Sequence, residues 1–290
     1  MQIIDGRKLR DEILEHVSKE VAALPFQPVF SDILVGGDPA SLQYVRMKEK
    51  TAESAGIRFE RAEFPATITT DALIGEIQKL NAVPHMCGII AQLPLPVSID
   101  IARVLDSIDP ELDVDCLGAA ASARFYGGLP GLGFPTALAC MKVLESLGLD
   151  LAGKKIAVLG QGQLVGRPVT ALLRSKGFAP VAVDNDTPGK EKIIEEADVI
   201  ISGIGRGNYI TGDMIKEGAV LVDAGTSESG SGIVGDIDRE SVAKKAACLS
   251  PVPGGVGPVT VAMLLENVLA VAKRRASKDV ARHDSAESHE

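Results

Sequence analysis

Apolar residues near the start of the chain recur at intervals of three and four positions. This spacing is typical of an amphipathic helix that packs one face on a core. The helix is predicted to begin at Arg7 and to end before Pro25. The apolar positions that carry the pattern are Leu9, Ile13, Val17, Val21 and Leu24.

Strands and helices are predicted to alternate along the rest of the chain. A first series has apolar runs at 29–35, 57–64 and 87–91, separated by helical patterns at 41–55 and 71–82. A second series has apolar runs at 156–159, 181–183, 198–202 and 219–223, again with helical segments between them. Alternation of this kind indicates parallel strands joined by crossover helices, so we expect two α/β domains.

The connection between the two series is rich in glycine. Residues 126–133 (YGGLPGLG) indicate an irregular linker. The apolar stretch after Pro258 is interrupted by Glu266 and Asn267 and is short for a membrane span, which favours a buried core helix. Apolar periodicity is weak from Lys273 onward, so we expect a mobile terminus at 277–290.

Composition and charge narrow the classes of function. The chain has 290 residues and a formal net charge of −9, so a basic surface for nucleic acid is not expected. The cysteines form no C-x-x-C pair, and the first residues are charged where a secretion signal is apolar. We therefore expect a cytoplasmic protein that does not bind membranes. The histidines have no metal-ligand spacing, and no metal site is predicted.

A glycine-rich loop follows the apolar run at 156–159. Its glycines are Gly160, Gly162 and Gly166, with a spacing one residue longer than the usual dinucleotide fingerprint. Strand, loop and helix in this order can present backbone N–H groups to a pyrophosphate, although a tight turn without a ligand fits the same pattern. Asp184 ends the next strand, where an acidic side chain meets a ribose, and Gly205 lies in another loop at the same sheet edge.

A helical segment near the start carries candidate chemistry. Tyr44 and Lys48 are one turn apart and share a face of a helix that we expect Ser41 to cap. Lys48 is interpreted either as a proton-transfer group or as a solvated surface lysine. Gln92 follows the apolar run at 87–91, where a parallel strand opens into a loop, and its alternative role is a polar strand cap.

Two further segments carry candidate binding residues. Asp113 and Asp115 are two positions apart, so they share a face in an extended chain. Either one of them binds a polar heterocycle or both are solvated turn residues. Pro253, Gly254 and Gly255 belong to a run of proline and glycine before the last helix, which indicates a fixed loop with exposed N–H groups.

Several of these segments resemble the bifunctional methylenetetrahydrofolate dehydrogenase/methenyltetrahydrofolate cyclohydrolase enzymes of the FolD type. The similarity runs from about Ile4 to Lys273. The motifs that carry it are IDGR at 4–7, VGGDPAS-x-x-YVRMK at 35–48, GIIAQLPLP at 88–96, DVD at 113–115, VGRP at 165–168 and SPVPGGVGPVT at 250–260.

The resemblance implies a homodimer with two domains in each protomer, an N-terminal α/β catalytic domain and a Rossmann-like nucleotide-binding domain with a cleft between them. On this basis residues 1–133 form the catalytic, folate-binding domain, joined by the C-terminal helix at about 258–276. Residues 134–257 form the NAD(P)-binding domain.

The resemblance also implies roles for single residues. Lys48 is similar to the essential proton-transfer residue, and Gln92 to the amide that orients it. Tyr44 is similar to the ring that stacks on the aminobenzoyl part of the folate, and Asp115 to the carboxylate that binds the pterin. The expected substrate-binding residues are Tyr44, Asp115, Pro253, Gly254 and Gly255, and the expected cofactor-binding residues are Gly160, Gly162, Gly166, Arg167, Asp184 and Gly205.

Some positions depart from the family pattern. Leu112 and Cys116 flank the DVD motif, where Lys and Gly are usual. Gln161 and Asp186 stand where cationic residues would hold the 2′-phosphate of NADP, and with Asp184 they favour NAD.

We therefore expect oxidation of 5,10-methylenetetrahydrofolate to the methenyl form with NAD, or less well NADP, followed by hydrolysis to 10-formyltetrahydrofolate. Two alternatives stay open. One is a divergent paralogue that binds a nucleotide or a folate without turnover, and the other is a dehydrogenase of another small substrate.

Overall fold

The computed structural model describes residues 1–230 and 232–287. In chain order its strands are β1 Gln2–Ile3, β2 Val29–Val35, β3 Arg58–Phe64, β4 Met86–Ala91, β5 Ile156–Leu159, β6 Val181–Val183, β7 Val199–Ser202, β8 Val220–Asp223, β9 Ser227–Ser229, β10 Gly232–Val234 and β11 Cys248–Ser250. Its helices are α1 Gly6–Ala22, α2 Pro39–Ser54, α3 Thr70–Asn81, α4 Ile101–Asp106, α5 Ala119–Tyr126, α6 Pro135–Ser146, α7 Gly166–Ser175, α8 Lys190–Glu196, α9 Arg239–Val242 and α10 Val256–Glu287.

The chain divides into two compact units. The three-stranded unit comprises Ile13–Gly133 and the chain from Leu264 onward. The six-stranded unit comprises Met1–Glu12 and Phe134–Met263. The sequence places residues 1–12 in the folate-binding domain, whereas the structure groups them with the six-stranded unit because β1 pairs in parallel with β11. The functional assignment of 1–133 and 134–257 stays a prediction.

The three-stranded unit contains a parallel sheet in the order β3-β2-β4. Every residue of β2 and β4 is buried, as expected for near-continuous apolar strands that are covered on both faces. Helix α2 packs on β2 and β3, and α3 packs on β4. The edge strand β3 is rich in charged residues and partly exposed. The buried core of this unit therefore lies around β2.

Helix α2 begins at Pro39, and its cap is Asp38. The Asp38 carboxylate accepts a hydrogen bond of 2.8 Å from the Ser41 backbone N–H. Pro39 suits the first helical position, because its φ is fixed and it has no N–H to leave unpaired. The prediction that Ser41 caps this helix is therefore wrong, since Ser41 donates to the cap.

Asn267 on α10 binds two connections of the three-stranded unit, the loop after α4 and the loop after α5. Its Nδ2 donates to the carbonyl oxygens of Val114 and Gly133, at 2.8 and 2.7 Å. The side chain is buried. The polar residue that interrupts the apolar pattern of the last helix is therefore a buried group with its hydrogen bonds satisfied.

Within the described residues, the stretch Val256–Lys278 of α10 is long and apolar enough to cross a membrane. In the folded protein, 67% of its most apolar 18-residue segment is buried, as in the core helix that the sequence predicts. The helix extends beyond the expected end at 276 to Glu287. Residues 288–290 of the expected mobile terminus lie outside the described residues, and mobility of 277–290 stays a prediction.

The six-stranded unit contains a parallel sheet in the order β1-β11-β8-β7-β5-β6. A separate antiparallel pair is formed by β9 and β10. The sheet buries an aliphatic cluster on one side. Its members include Leu159, Val183, Ile194, Ile200, Ile210, Leu221, Ile237 and Leu249.

The α/β class with parallel sheets is confirmed. The apolar runs assigned as strands agree with β2 to β8 within one residue at each end. The pattern misses β1, β9, β10 and β11, because a strand of two or three residues is too short to show a period.

Replacement of Asn267 by Leu should destabilise the protein by about 2–4 kcal/mol, because Leu leaves two buried carbonyl groups without a donor. Denaturant unfolding followed by circular dichroism measures the change. Ala270→Ser, on the exposed side of the same helix, is the control and should change stability by less than about 0.5 kcal/mol. An Asn267→Leu protein as stable as the wild type would show that other contacts hold the two connections.

Candidate active site and nucleotide-binding loop

Lys48 is buried in the three-stranded unit, with only 8% of the residue exposed. Helix α2 carries it, and its Nζ donates to Gln92 Oε1 at 2.8 Å. The same Nζ lies 2.5 Å from Asp32 Oδ2. The interpretation of Lys48 as a solvated surface lysine is therefore wrong, and its ammonium group is held by two oxygen atoms.

Gln92 is positioned by the end of β4. Its backbone N–H donates to the Ile33 carbonyl at 2.8 Å, which ties this position to β2. Its side-chain Nε2 donates to the Leu93 carbonyl at 2.8 Å. Because the amide nitrogen is engaged there, the amide oxygen faces Lys48.

Asp115 faces Lys48 from the loop after α4. Backbone pairing holds this loop beside β4, since the Ile89 N–H donates to the Leu112 carbonyl at 2.8 Å. Burial raises the pKa of Asp115 to about 7, the Lys48 charge opposes this shift, and the charges of Asp113 and Asp32 add to it. Asp115 is therefore a carboxyl group that changes its charge near neutral pH.

Asp113 has a different environment from Asp115. Its Oδ2 accepts a hydrogen bond of 2.7 Å from the Gly118 N–H, and the residue is buried. Burial raises its pKa, and the backbone donors of its own turn oppose the shift. Asp113 therefore shapes the turn, and the interpretation of both aspartates as solvated is wrong.

Tyr44 lies one turn before Lys48 on α2 and is 43% exposed. An exposed aromatic ring next to a buried polar cluster is suited to stacking on a planar ligand. The structure thus brings Lys48, Gln92 and Asp115 together, with Tyr44 on the same helix as Lys48.

Asp32 is a site residue that the sequence analysis missed. It occupies the middle of β2 and its side chain is completely buried. Burial raises the pKa of Asp32, and the adjacent Lys48 ammonium opposes part of that shift. The available signal was an isolated acidic residue inside the apolar run VFSDILV.

The glycine loop of the six-stranded unit lies between β5 and α7. A Cβ on Gly166 would lie 1.6 Å from the Gly160 carbonyl oxygen, and a Cβ on Gly160 would lie 2.6 Å from the Gly203 carbonyl oxygen. Gly160 also has a φ of +80°, which favours glycine. The loops after β5 and β7 therefore approach each other too closely for any side chain at these positions.

The same loop fits a group that carries a pyrophosphate. A Cβ on Gly162 would meet nothing within 4 Å, so a ligand can approach the backbone there. Helix α7 begins at Gly166 after Val165, whose apolar side chain cannot cap it. In that first turn the Arg167 N–H donates to the Gly162 carbonyl at 3.1 Å and Pro168 has no N–H, so the turn offers an anion the Gly166 N–H and the exposed Arg167 side chain.

A buried carboxylate fixes the loop that contains Gly205. Asp236 Oδ2 accepts hydrogen bonds from the Ser202 hydroxyl and the Ile204 N–H, both at 2.7 Å. Asp236 Oδ1 accepts from the Arg206 N–H at 2.8 Å. The sequence analysis missed Asp236, and its signal was an acidic residue in the turn-rich segment GDID.

Asp184 is exposed at the end of β6. Its Oδ1 accepts from the Thr187 hydroxyl at 2.7 Å and from the Asp186 N–H at 3.1 Å. The hydrogen bond from Thr187 lowers the pKa of Asp184, so the carboxyl is ionised at neutral pH. Asp184 therefore places a fixed negative charge at the C-terminal end of β6.

Gln161 turns into the protein instead of toward the open side of the glycine loop. Its Nε2 donates to the Val158 carbonyl at 3.0 Å, and its Oε1 accepts from the Thr170 hydroxyl at 3.3 Å. The side chain at this position is therefore occupied by contacts within the six-stranded unit.

Pro253, Gly254 and Gly255 lie in the six-stranded unit against the start of α1. The Gly6 N–H donates to the Gly254 carbonyl at 2.9 Å, and a Cβ on Gly6 would lie 1.8 Å from the Gly255 carbonyl oxygen. The IDGR and PVPGGVGP segments are thus packed on each other. Contact of Pro253, Gly254 and Gly255 with a substrate stays a prediction.

Two family models match the chain over most of its length. The catalytic domain of tetrahydrofolate dehydrogenase/cyclohydrolase matches residues 4–115, and the NAD(P)-binding domain of the same family matches residues 135–276. The chain belongs to the tetrahydrofolate dehydrogenase/cyclohydrolase family. The resemblance drawn from the sequence motifs is therefore confirmed.

Similar proteins cover nearly the whole chain. The bifunctional protein FolD of Nitratiruptor sp. is 41% identical over 280 residues, which is 95% of this chain and 99% of that protein. The crystal structure of the bifunctional FolD enzyme from Campylobacter jejuni has a TM-score of 0.91 at 37% identity and covers 95% of this chain and 99% of its own. The Trypanosoma brucei FolD structure, complexed with NADP and an inhibitor, has a TM-score of 0.89 at 36% identity, with coverages of 94% and 97%.

Proposed function

We propose that the protein oxidises 5,10-methylenetetrahydrofolate to 5,10-methenyltetrahydrofolate with a nicotinamide cofactor, and hydrolyses the methenyl compound to 10-formyltetrahydrofolate. The observation that carries the proposal is the buried Lys48 ammonium, held by Gln92 and Asp32 and facing Asp115. Family membership supports the reaction class, since the relatives named above are bifunctional FolD proteins.

Asp115 and Tyr44 bind the folate in this proposal. An ionised Asp115 accepts paired N–H donors from the pterin, and the exposed Tyr44 ring stacks on the aminobenzoyl group. For Pro253, Gly254 and Gly255 the resemblance supports a folate-binding role.

Lys48 moves protons in the hydrolysis. Once it has given up one of its own protons, Lys48 takes a proton from the water that attacks the methenyl carbon, and Gln92 keeps its nitrogen in place. Burial of Lys48 keeps bulk water from competing for that nitrogen.

Gly160, Gly162, Gly166 and Arg167 hold the pyrophosphate of the cofactor, and the loop with Gly205 borders it. Asp184 accepts hydrogen bonds from the ribose hydroxyls. A nicotinamide cofactor bound by these residues would supply the hydride acceptor for the oxidation. With Asp184 ionised and Gln161 turned inward, NAD is the favoured cofactor over NADP.

We also propose that the protein works as a homodimer in the cytoplasm, with no nucleic-acid or membrane partner. The resemblance supports the homodimer, and the net charge of −9 disfavours nucleic acid. Light scattering of the purified protein tests the assembly.

An absorbance assay with methylenetetrahydrofolate and each nicotinamide cofactor tests the proposed reactions together. Reduced cofactor and the methenyl product should form first, and the methenyl absorbance should then decay as it is hydrolysed. A protein that binds folate without turnover would form neither product.

Lys48→Met should lower the rate of methenyl hydrolysis by about 10²–10⁴-fold, because it keeps the aliphatic stem and removes the proton-transfer group. Stopped assays of methenyl loss measure the rate. Lys50→Met, two positions further on the same helix and exposed, is the matched control and should hydrolyse at the wild-type rate. Wild-type hydrolysis by Lys48→Met would contradict the assignment.

Asp115→Ala should weaken folate binding by about 1.5–3 kcal/mol, the size of a hydrogen bond to a charged group, and leave NAD binding unchanged. Because the pKa of Asp115 is raised to about 7, the accepting carboxylate form is lost as pH falls through that value. Wild-type folate affinity should therefore decrease from about pH 8 to about pH 6, and Asp115→Ala should lose this dependence.

Calorimetry with a folate and with NAD measures both affinities. Asp71→Ala, an exposed aspartate of the same unit, serves as the control. Equal loss of both ligands in Asp115→Ala would indicate a structural role for the turn.

The wild-type protein should use NAD at least tenfold better than NADP in kcat/KM. A carboxylate about 4 Å from the 2′-phosphate raises the energy of the NADP complex by about 1–4 kcal/mol, and 1.4 kcal/mol is a factor of ten. Asp184→Ser combined with Asp186→Arg should shift the preference toward NADP.

Steady-state kinetics with both cofactors checks the preference. Lys190, whose ammonium binds the Asn185 carbonyl in the same loop, attracts a phosphate, so Lys190→Met should widen the preference for NAD. A wild-type enzyme equally efficient with NADP would show that Asp184 does not face the ribose.

A further inference from the structure

Asp32 places a carboxylate where the strand otherwise carries apolar residues. It lies in the middle of β2, and its side chain has no exposed surface. Its Oδ2 contacts Lys48 Nζ at 2.5 Å. Neither Oδ1 nor Oδ2 accepts a hydrogen bond from the part of the chain that the structure describes, so the contact between Oδ2 and Lys48 Nζ is an ion pair. Asp32 is therefore placed to interact with Lys48.

Stability of the fold alone does not require an ion pair at this place. Replacing a buried ion pair by apolar groups of similar volume is often neutral or stabilising. Lys48 also has Gln92 as an acceptor and Asp115 as a facing carboxyl. Asp32 is a second carboxylate and is in direct contact with Lys48. An amine and a carboxyl group in contact titrate as a pair and can share one proton, so Asp32 adds a second place for that proton.

We propose that Asp32 is a positioning residue for Lys48 that accepts the ammonium proton while Lys48 removes a proton from the attacking water. The inference rests on the hydrolase half of the proposed function. In the resting pair Lys48 is an ammonium and Asp32 a carboxylate, so the pair carries one transferable proton and no net charge. Asp32 thus allows an ammonium group to act as a base.

The proton balance of the step closes within the pair and the substrate. The water oxygen bonds to the methenyl carbon, one water O–H bond breaks, and that proton goes to Lys48 as Lys48 passes a proton to Asp32. The ring C–N bond then breaks, and the hydroxyl proton of the adduct moves to the released nitrogen. The pair returns its extra proton to solvent, which matches the one proton released when a methenyl cation and water give a neutral formyl product.

Charged groups reach this pair from each neighbouring element. Helix α2 contributes Lys48 itself and Glu49. Strand β3 contributes Arg61, which is the register partner of Asp32. Arg61 forms ion pairs with Glu49 and Glu63. From the loop after α4 come Asp113, bound by the Gly118 N–H, and Asp115. Of these, Asp115 has a pKa that burial raises to about 7, so it is kept in every variant and differences between profiles report on Asp32.

The test is the pH profile of kcat for methenyl hydrolysis by Asp32→Asn. Without the second acceptor, Lys48 must lose its proton to solvent before it can act as a base. The rise of kcat on the acid side of the profile should therefore move to higher pH by at least about one unit. At a given pH on that side, kcat is then about tenfold lower than in the wild type. A carboxylate that only anchors the ammonium predicts the opposite shift, because its removal eases loss of the proton. A shift to lower pH, or no shift, overturns the proposal.

Asp32→Val is the second variant, in case Asn does not fold in the buried strand. Val fits a buried β-strand, and the same upward shift is expected. Ser31→Ala is the matched control, because Ser31 is the adjacent buried residue and points to the opposite face of β2. An equal shift in Ser31→Ala overturns the proposal.

Hydrolysis by the wild type is measured first. A wild-type protein without hydrolysis refutes the proposed function, and the inference with it. An active wild type with an unshifted Asp32→Asn profile refutes the inference alone.

Discussion

The buried ammonium of Lys48 is the constraint that organises the three-stranded unit. A charge removed from water is tolerated when oxygen atoms surround it with good geometry. Here the oxygens come from β2 and from the end of β4, with a further carboxyl in the loop after α4. The last two of these segments are each fixed by a hydrogen bond to the backbone. The Gln92 N–H donates to β2, and Asn267 of α10 donates to the Val114 carbonyl beside Asp115. The position of one nitrogen atom thus depends on four separate parts of the chain.

The six-stranded unit uses buried carboxylates in another way. Asp223 Oδ1 accepts from the Gly225 and Asp236 N–H groups at 3.0 and 3.1 Å, and its Oδ2 accepts from the Ile237 N–H at 2.9 Å. Asp236 in turn binds the loop after β7. Burial raises the pKa of Asp223 to about 7, and the backbone donors oppose this shift. These carboxylates satisfy N–H groups that no strand or helix pairs, and they hold the loops that face the glycine-rich turn.

Sequence periodicity predicts most of the longer elements, because helices and strands with several buried residues carry a repeated signal. It does not predict β1 and β11, which form through long-range pairing of two or three residues. Local chemistry also decides details that periodicity cannot. Asp38 and Ser41 are both good caps, and only the position of Pro39 explains why the helix starts after Asp38. Lys48, Gln92 and Asp115 were accessible through motifs, whereas Asp32 was hidden in an apolar run that is correctly assigned as a strand. A contact between residues 16 positions apart, on a strand and the following helix, depends on how α2 packs on β2.

The charge of the site links the two proposed reactions. Hydride loss turns a neutral methylene compound into a methenyl cation, so positive charge develops next to the residues for which we propose catalytic roles. An unpaired ammonium about 4 Å from that charge would raise its energy by about 1–4 kcal/mol between water-like and surface-like dielectric constants. Contact with Asp32 cancels the charge of Lys48, and an ionised Asp115 leaves this side of the site negative. Hydrolysis makes a different demand, because it needs a group that accepts a proton from water while a cation is still present. The Lys48–Asp32 pair is neutral and can accept one more proton, so it satisfies both demands. An isolated ammonium satisfies neither. One buried carboxylate in β2 therefore removes the repulsion in the oxidation and supplies the acceptor in the hydrolysis.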